Sequence, residues 1–103
     1  MDVTVLAIPG CPGAVLLDER LAAVASGLPA FTVTRRVMAG EAEAAEAGMH
    51  GSPTLLVDGT DPFAQAGQQP GLACRLYQQD DGSLAPAPPA SELRRVLAPA
   101  TRP

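Results

Sequence analysis

The spacing of apolar residues changes along this chain, and the changes predict an alternation of strands and helices. Residues 3–8 are an uncharged, apolar run, which is typical of a buried strand. Helical spacing then appears over residues 12–26, where Pro12 stands at the first helical position. The same reasoning predicts strands over residues 30–38, 54–57 and 72–78, and helices over residues 41–47 and 91–98.

This order of elements is βαβαββα and predicts an α/β fold. We expect residues 1–98 to form a single domain and residues 99–103 to form a loose tail. Residues 59–71 form a loop that is longer than a hairpin requires, which suggests a functional role for it. Ser91 is the expected N-cap of the last helix.

Charge and composition exclude several classes of function. The net charge is -4, the seven basic residues are scattered, and there are few aromatic residues, so a nucleic-acid surface is not expected. Two cysteines and one histidine are too few for a closed zinc site or a four-cysteine iron–sulfur cluster. We expect no metal and no cofactor. No apolar run has the length of a membrane span and no leader is visible, which predicts a cytoplasmic protein without a membrane contact.

Cys11 is the strongest candidate for chemistry. It lies between the first predicted strand and the first predicted helix, and Pro12 follows it. The free N–H groups and the dipole at a helix N-terminus favour a negative charge, so this position stabilises the reactive thiolate. The alternative is a buried structural cysteine, which is a common environment for a free thiol.

A second segment supports a redox interpretation. Residues 48–59 read GMHGSPTLLVDG, in which Ser52, Pro53 and Thr54 open a predicted strand. Together with Cys11 and Pro12, this pattern resembles the thioredoxin superfamily. The resemblance implies a thioredoxin-like fold with a four-stranded mixed sheet flanked by helices. It also implies a cis peptide bond before Pro53, placed beside Cys11, with Ser52 offering a backbone edge to an extended peptide.

The same resemblance draws attention to three other positions. Ala14 stands where dithiol members keep a second cysteine, so the local motif has one thiol. His50, three residues before Pro53, is a candidate base and substrate-binding residue, and a solvated loop histidine is the alternative. The segments around 52–63 and 74–77 also resemble small thioredoxin-like proteins of actinobacterial type, some of which are grouped by name with alkylmercury lyases.

Cys74 is the second candidate catalytic thiol. If the strand over residues 72–78 runs antiparallel to the strand that opens at Thr54, Cys74 lies about 7–10 Å too deep in the sheet to reach the site. A disulfide requires Cα atoms about 4.4–6.8 Å apart, so we expect Cys74 to be a buried thiol that does not pair with Cys11. The alternative is that a bulge, or a 59–71 loop folded over the site, brings the two cysteines together.

These residues leave three hypotheses. The first is a monothiol redox protein in which Cys11 exchanges with a protein or small-molecule thiol or disulfide and an external thiol resolves the product. The second is a degenerate thioredoxin-like module that binds a peptide or partner without turnover. The third is soft-metal or organomercurial chemistry that uses both cysteines. The expected state is a monomer or weak dimer.

Overall fold

A three-stranded mixed sheet forms the centre of the protein, which is described here by a computed structural model covering residues 1–98. The elements, in chain order, are β1 (Asp2–Ala7), α1 (Pro12–Ala25), β2 (Thr32–Val37), α2 (Glu41–Ala47), β3 (His50–Ser52), β4 (Thr54–Val57), β5 (Gly71–Cys74), β6 (Tyr77–Gln78), β7 (Leu84–Ala85) and α3 (Ala90–Leu97). The order of strands in the sheet is β2-β1-β4. Strand β1 runs parallel to β2 and antiparallel to β4.

The central strand β1 is covered on both faces, which explains why its sequence after Asp2 carries no charge. On one face Val3 and Val5 pack with α1 and α3, which contribute Leu17, Leu21, Leu93 and Leu97. On the other face Leu6 packs with Met38, Ala44 and Met49, around α2. The sequence prediction of an α/β fold with helices flanking a mixed sheet is confirmed at this level.

Helix α1 begins and ends close to the predicted positions. Pro12 occupies the first turn, where its missing N–H removes no helical hydrogen bond. Helix α2 has the predicted bounds and ends at Gly48, whose φ of 78° places it in the left-handed region that glycine tolerates. The predicted cap of the last helix is wrong, because Pro89 is the N-cap of α3 and the Ser91 hydroxyl donates to Asp80 instead.

The prediction of one strand over residues 72–78 is wrong, as is the prediction of a sheet with four paired strands. The segment is divided between β5 and β6. Strand β5 pairs parallel with β3 in a separate two-stranded ladder, and β6 pairs with β7 in another. Proline has no N–H for a strand ladder, and Pro53 separates β3 from β4. Strand β3 is thereby free to pair with β5 outside the central sheet.

The predicted tail, residues 99–103, lies outside the described residues. Within residues 1–98, no helix has both the length and the apolar character that a membrane crossing needs.

Gly13 provides a test of how closely α1 approaches the proline segments. A Cβ at this position would lie 2.5 Å from the Pro86 carbonyl oxygen and 2.8 Å from Pro53 Cδ. Although alanine favours a helix by about 1 kcal/mol, we expect Gly13→Ala to destabilise the protein by about 1–3 kcal/mol through overpacking. Urea unfolding followed by circular dichroism measures the change.

Gly27→Ala is the matched control, because the nearest atom to its added Cβ is 3.9 Å away. We expect its free energy of unfolding to stay within about 0.5 kcal/mol of the wild type. Equal stability of the two variants would contradict the close packing at Gly13.

Candidate functional site

Cys11 lies where the sequence places it, between the end of β1 and the start of α1. It is the N-cap of α1, with an extended backbone (φ -68°, ψ 118°), and its side chain makes no capping hydrogen bond. The thiol is free, and the residue is only 6% exposed. The cysteine is therefore positioned at the positive end of a 14-residue helix, but most of its surface is covered.

Pro53 lies against the first turn of the same helix. The Ser52–Pro53 peptide bond is cis, as predicted from the sequence. A Cβ added at Gly13 would lie 2.8 Å from Pro53 Cδ. Gly13 is two residues after Cys11, so Pro53 lies close to the start of α1. Ser52 Oγ accepts a hydrogen bond from the Ile8 N–H at 3.0 Å, which ties this segment to the chain just after β1. Two parts of the chain that are far apart in sequence therefore meet at the start of α1.

Tyr77 completes this contact from a third part of the chain. Its hydroxyl donates to the Pro53 carbonyl oxygen at 2.5 Å, and the residue is 6% exposed. Burial raises the pKa of Tyr77 well above its ordinary value of 10.0, while the positive charge of Arg75 opposes that shift. Smaller contributions from the charges of Asp61 and Cys11 raise the pKa of Tyr77 further. Tyr77 was not among the predicted site residues, although it is the single tyrosine of the chain.

Arg75, which forms a buried ion pair with Asp61, packs against the ring of Tyr77. Arg75 Nη1 lies 2.7 Å from Asp61 Oδ2, and the two side chains are 7% and 4% exposed. Arg75 Nη2 also donates to the Phe63 carbonyl oxygen at 2.8 Å. The guanidinium carbon lies 4.8 Å from the centre of the Tyr77 ring, a distance typical of a cation–π contact. This network joins the long loop to the segment that carries Tyr77.

His50 and Thr54 belong to this network. His50 Nδ1 lies 3.2 Å from Asp61 Oδ2. Thr54 Oγ1 accepts from the His50 N–H and donates to the Gly51 carbonyl oxygen, which fixes the turn that leads into Pro53. The hydrogen bonds of His50 thus go to residues of the loop and turn, and none of them joins His50 to Cys11 in the described residues.

Cys74 is exposed, so the expectation of a buried thiol is wrong. The physical reason is the direction of the neighbouring side chains. Arg75 and Tyr77 take the inward positions, which turns Cys74 and Leu76 outward. The expected antiparallel neighbour of Cys74 is also wrong: Cys74 pairs with Ser52 in a parallel ladder, which has a register shift between His50 and Ser52.

Both thiols are free, and they line different cavities. Cys11 lines a cavity between α1 and β2, whereas Cys74 lines one together with His50 and Gly71. Among residues 1–98, no three histidine, cysteine or acidic side chains gather in an arrangement that could hold a metal ion. Comparisons with protein-family models, curated proteins and solved structures found no match to this chain.

Tyr77 yields a prediction about alkaline pH. Its pKa is raised in the folded protein, so the folded state holds the phenolic proton more tightly than the unfolded state does. The resulting stability is fully present below pH 10.0 and is lost as the pH rises above that value. Because the chain has one tyrosine, tyrosinate absorbance reports this side chain alone. We expect ionisation well above pH 10.0 in the folded protein and close to that value in urea.

Tyr77→Phe provides the control for this titration. The variant leaves the Pro53 carbonyl without its donor, so we expect a loss of about 1–2 kcal/mol at neutral pH. The loss of stability above pH 10.0 should be absent from this variant, because phenylalanine does not ionise. Ionisation at the same pH with and without urea would show that the phenol is not buried as described.

The Arg75–Asp61 pair yields a prediction about stability. In Asp61→Asn the shape of the side chain is kept, but the guanidinium stays buried without a counter-charge. We expect a loss of about 3 kcal/mol in the free energy of unfolding, measured by urea denaturation.

Glu92→Gln is the matched control, because Glu92 and Arg95 form an exposed pair at 2.8 Å. That variant should lose less than about 1 kcal/mol. Similar losses in both variants would show that burial adds nothing to the Asp61 pair.

Proposed function

We propose that this chain is a thioredoxin-like monothiol redox protein whose nucleophile is Cys11. The observation that carries the proposal is the packing of cis-Pro53 against the helix turn that Cys11 caps. A free cysteine at a helix N-terminus favours the thiolate. The buried Tyr77 phenol donates to the Pro53 carbonyl oxygen, which holds the proline on the helix turn that follows the thiol.

The arrangement of strands supports the thioredoxin-like part of the proposal. Strands β1 and β2 are parallel and joined through α1, and β4 follows Pro53 and runs antiparallel to β1. The final helix, α3, packs with α1 on one face of the sheet. The segment after the long loop departs from the expected pattern, because it pairs with β3 rather than extending the central sheet.

The proposed reaction is thiol–disulfide exchange with one protein thiol. The Cys11 thiolate attacks one sulfur of an external disulfide, and the electron pair of the broken S–S bond leaves on the other sulfur as a thiolate. The product is a mixed disulfide at Cys11. Ala14 carries no thiol, and Cys74 lines a different cavity. A second external thiolate therefore attacks the mixed disulfide, forms a new disulfide with the bound group and releases Cys11 as the thiolate.

The burial of Cys11 favours one alternative, a thioredoxin-like module that binds a peptide without turnover. A thiol that is 6% exposed presents little surface to an oxidant in bulk solution. The separate cavities of Cys11 and Cys74 argue against the third hypothesis, in which both thiols capture one soft metal or organomercurial.

Turnover distinguishes these possibilities. We expect the protein to reduce a small synthetic disulfide with glutathione as the external thiol. Cys11→Ser should abolish the activity, because it removes the nucleophile. Cys74→Ser, the same change at an exposed thiol, should leave more than about half of it, since most surface substitutions are tolerated.

Intact-mass spectrometry under non-reducing conditions supplies the control. After oxidised glutathione treatment we expect a glutathione adduct on Cys11 in Cys74→Ser. A loss of two hydrogens in the wild type, abolished by either substitution, would show an internal Cys11–Cys74 disulfide and contradict the monothiol mechanism. Absence of both adduct and turnover would favour the binding module.

A further inference from the structure

The backbone beside Pro53 is already occupied by contacts within the chain. The Arg75 N–H donates to the Ser52 carbonyl oxygen at 3.0 Å, and Cys74 pairs with Ser52 in the parallel ladder of β3 and β5. The Pro53 carbonyl oxygen accepts a hydrogen bond from the Tyr77 hydroxyl. An extended peptide binds a strand edge by donating its own N–H groups to free carbonyl oxygens. Both of these oxygens already have a donor.

Packing closes the same side of the site to a large molecule. Ser52 is 1% exposed, and Pro53 is one of the fully buried side chains. Pro53 also lies against the first turn of α1, where a Cβ added at Gly13 would be 2.8 Å from its Cδ. A peptide that approached Cys11 from this side would therefore have to break the contacts that hold Pro53 in place.

Cys11 opens instead onto a cavity between α1 and β2, which we call the α1/β2 cavity. Its volume is about 260 Å³, and Ala14 of α1 and Val37 of β2 line it. Sites for drug-sized ligands have volumes of about 300–1,000 Å³, so this cavity suits a smaller molecule. Neither Pro53 nor Tyr77 is among its lining residues. A small molecule can thus reach the thiol while the contacts on the proline side stay intact.

We infer that Cys11 reacts with low-molecular-weight disulfides that enter the α1/β2 cavity, and that peptide and protein disulfides are excluded. The inference rests on the proposed function of Cys11 and selects between its two substrate classes. The thiolate attacks one sulfur of the small disulfide, the S–S bond breaks, and the leaving thiolate takes the electron pair. Ala14 borders the path of entry, because it lines the cavity three residues after Cys11.

The first experiment compares two probes that release the same leaving group, pyridine-2-thiol. One probe is 2-hydroxyethyl 2-pyridyl disulfide. The other is a ten-residue peptide that carries the pyridyl disulfide on a central cysteine. The absorbance of the released pyridine-2-thione gives the second-order rate constant. The Cys74→Ser variant reports the reaction of Cys11, and the Cys11→Ser variant reports the reaction of Cys74.

Cys74 is the internal reference for this comparison. It is exposed, so we expect its rates with the two probes to differ by less than about threefold. Cys11 should prefer the small probe at least about tenfold more than Cys74 does, because the peptide must displace the hydrogen bonds beside Pro53. The same preference at both thiols would overturn the inference while the Cys11 chemistry stands. A Cys11 that reacts with neither probe would overturn the proposed function itself.

The second experiment narrows the α1/β2 cavity in the Cys74→Ser background. Ala14→Leu introduces a larger side chain and keeps a good helix former. We expect it to slow the reaction of Cys11 with the small probe about tenfold, since the leucine occupies the path of entry. Val37→Trp fills the same cavity from β2 and should have the same effect, so the test does not depend on one variant.

Ala23→Leu is the matched control. Ala23 is exposed on the same helix and does not line the α1/β2 cavity, so the rate should stay within about twofold of its parent. Unchanged rates in both Ala14→Leu and Val37→Trp would show that the small probe reaches Cys11 by another path and would overturn the assignment of the cavity.

Discussion

The buried Arg75–Asp61 ion pair is the interaction on which the arrangement of the site depends. A guanidinium that is 7% exposed loses most of its hydration, and this loss must be offset by close partners. Asp61 supplies the opposite charge and the Phe63 carbonyl oxygen accepts a further hydrogen bond. Both partners come from the long loop between β4 and β5. Arg75 therefore fixes the position of this loop. Because its side chain is buried, it also sets which face of residues 74–77 is turned inward.

From this ion pair a series of contacts leads to the nucleophile. Arg75 lies over the ring of Tyr77, and Tyr77 donates to the Pro53 carbonyl oxygen. Pro53 in turn contacts the first turn of α1, which begins after Cys11. Each step joins segments that are distant in sequence. The surroundings of Cys11 consequently depend on tertiary contacts as well as on the helix it caps.

The difference between local preferences and tertiary contacts explains which features could be predicted from the sequence. The helix start at Cys11, the proline at its first turn and the left-handed cap at Gly48 follow from local preferences, and the structure has all three. The strand predicted over residues 72–78 does not show which face turns inward. An arginine is ordinarily exposed, and the buried partner of Arg75 lies 14 residues away. The burial of Arg75, and with it the exposure of Cys74, could not be derived from the local pattern.

The two cysteines show why exposure alone is a poor guide to the nucleophile. Cys74 is accessible, but it lies in a short ladder outside the central sheet and caps no helix. Cys11 is mostly covered, yet it lies at the N-terminus of α1 and opens onto an apolar cavity. The burial of Cys11 restricts access to molecules that fit this cavity. In a protein with one positioned thiol, reactivity and selectivity would then both arise from the way α1 meets the sheet.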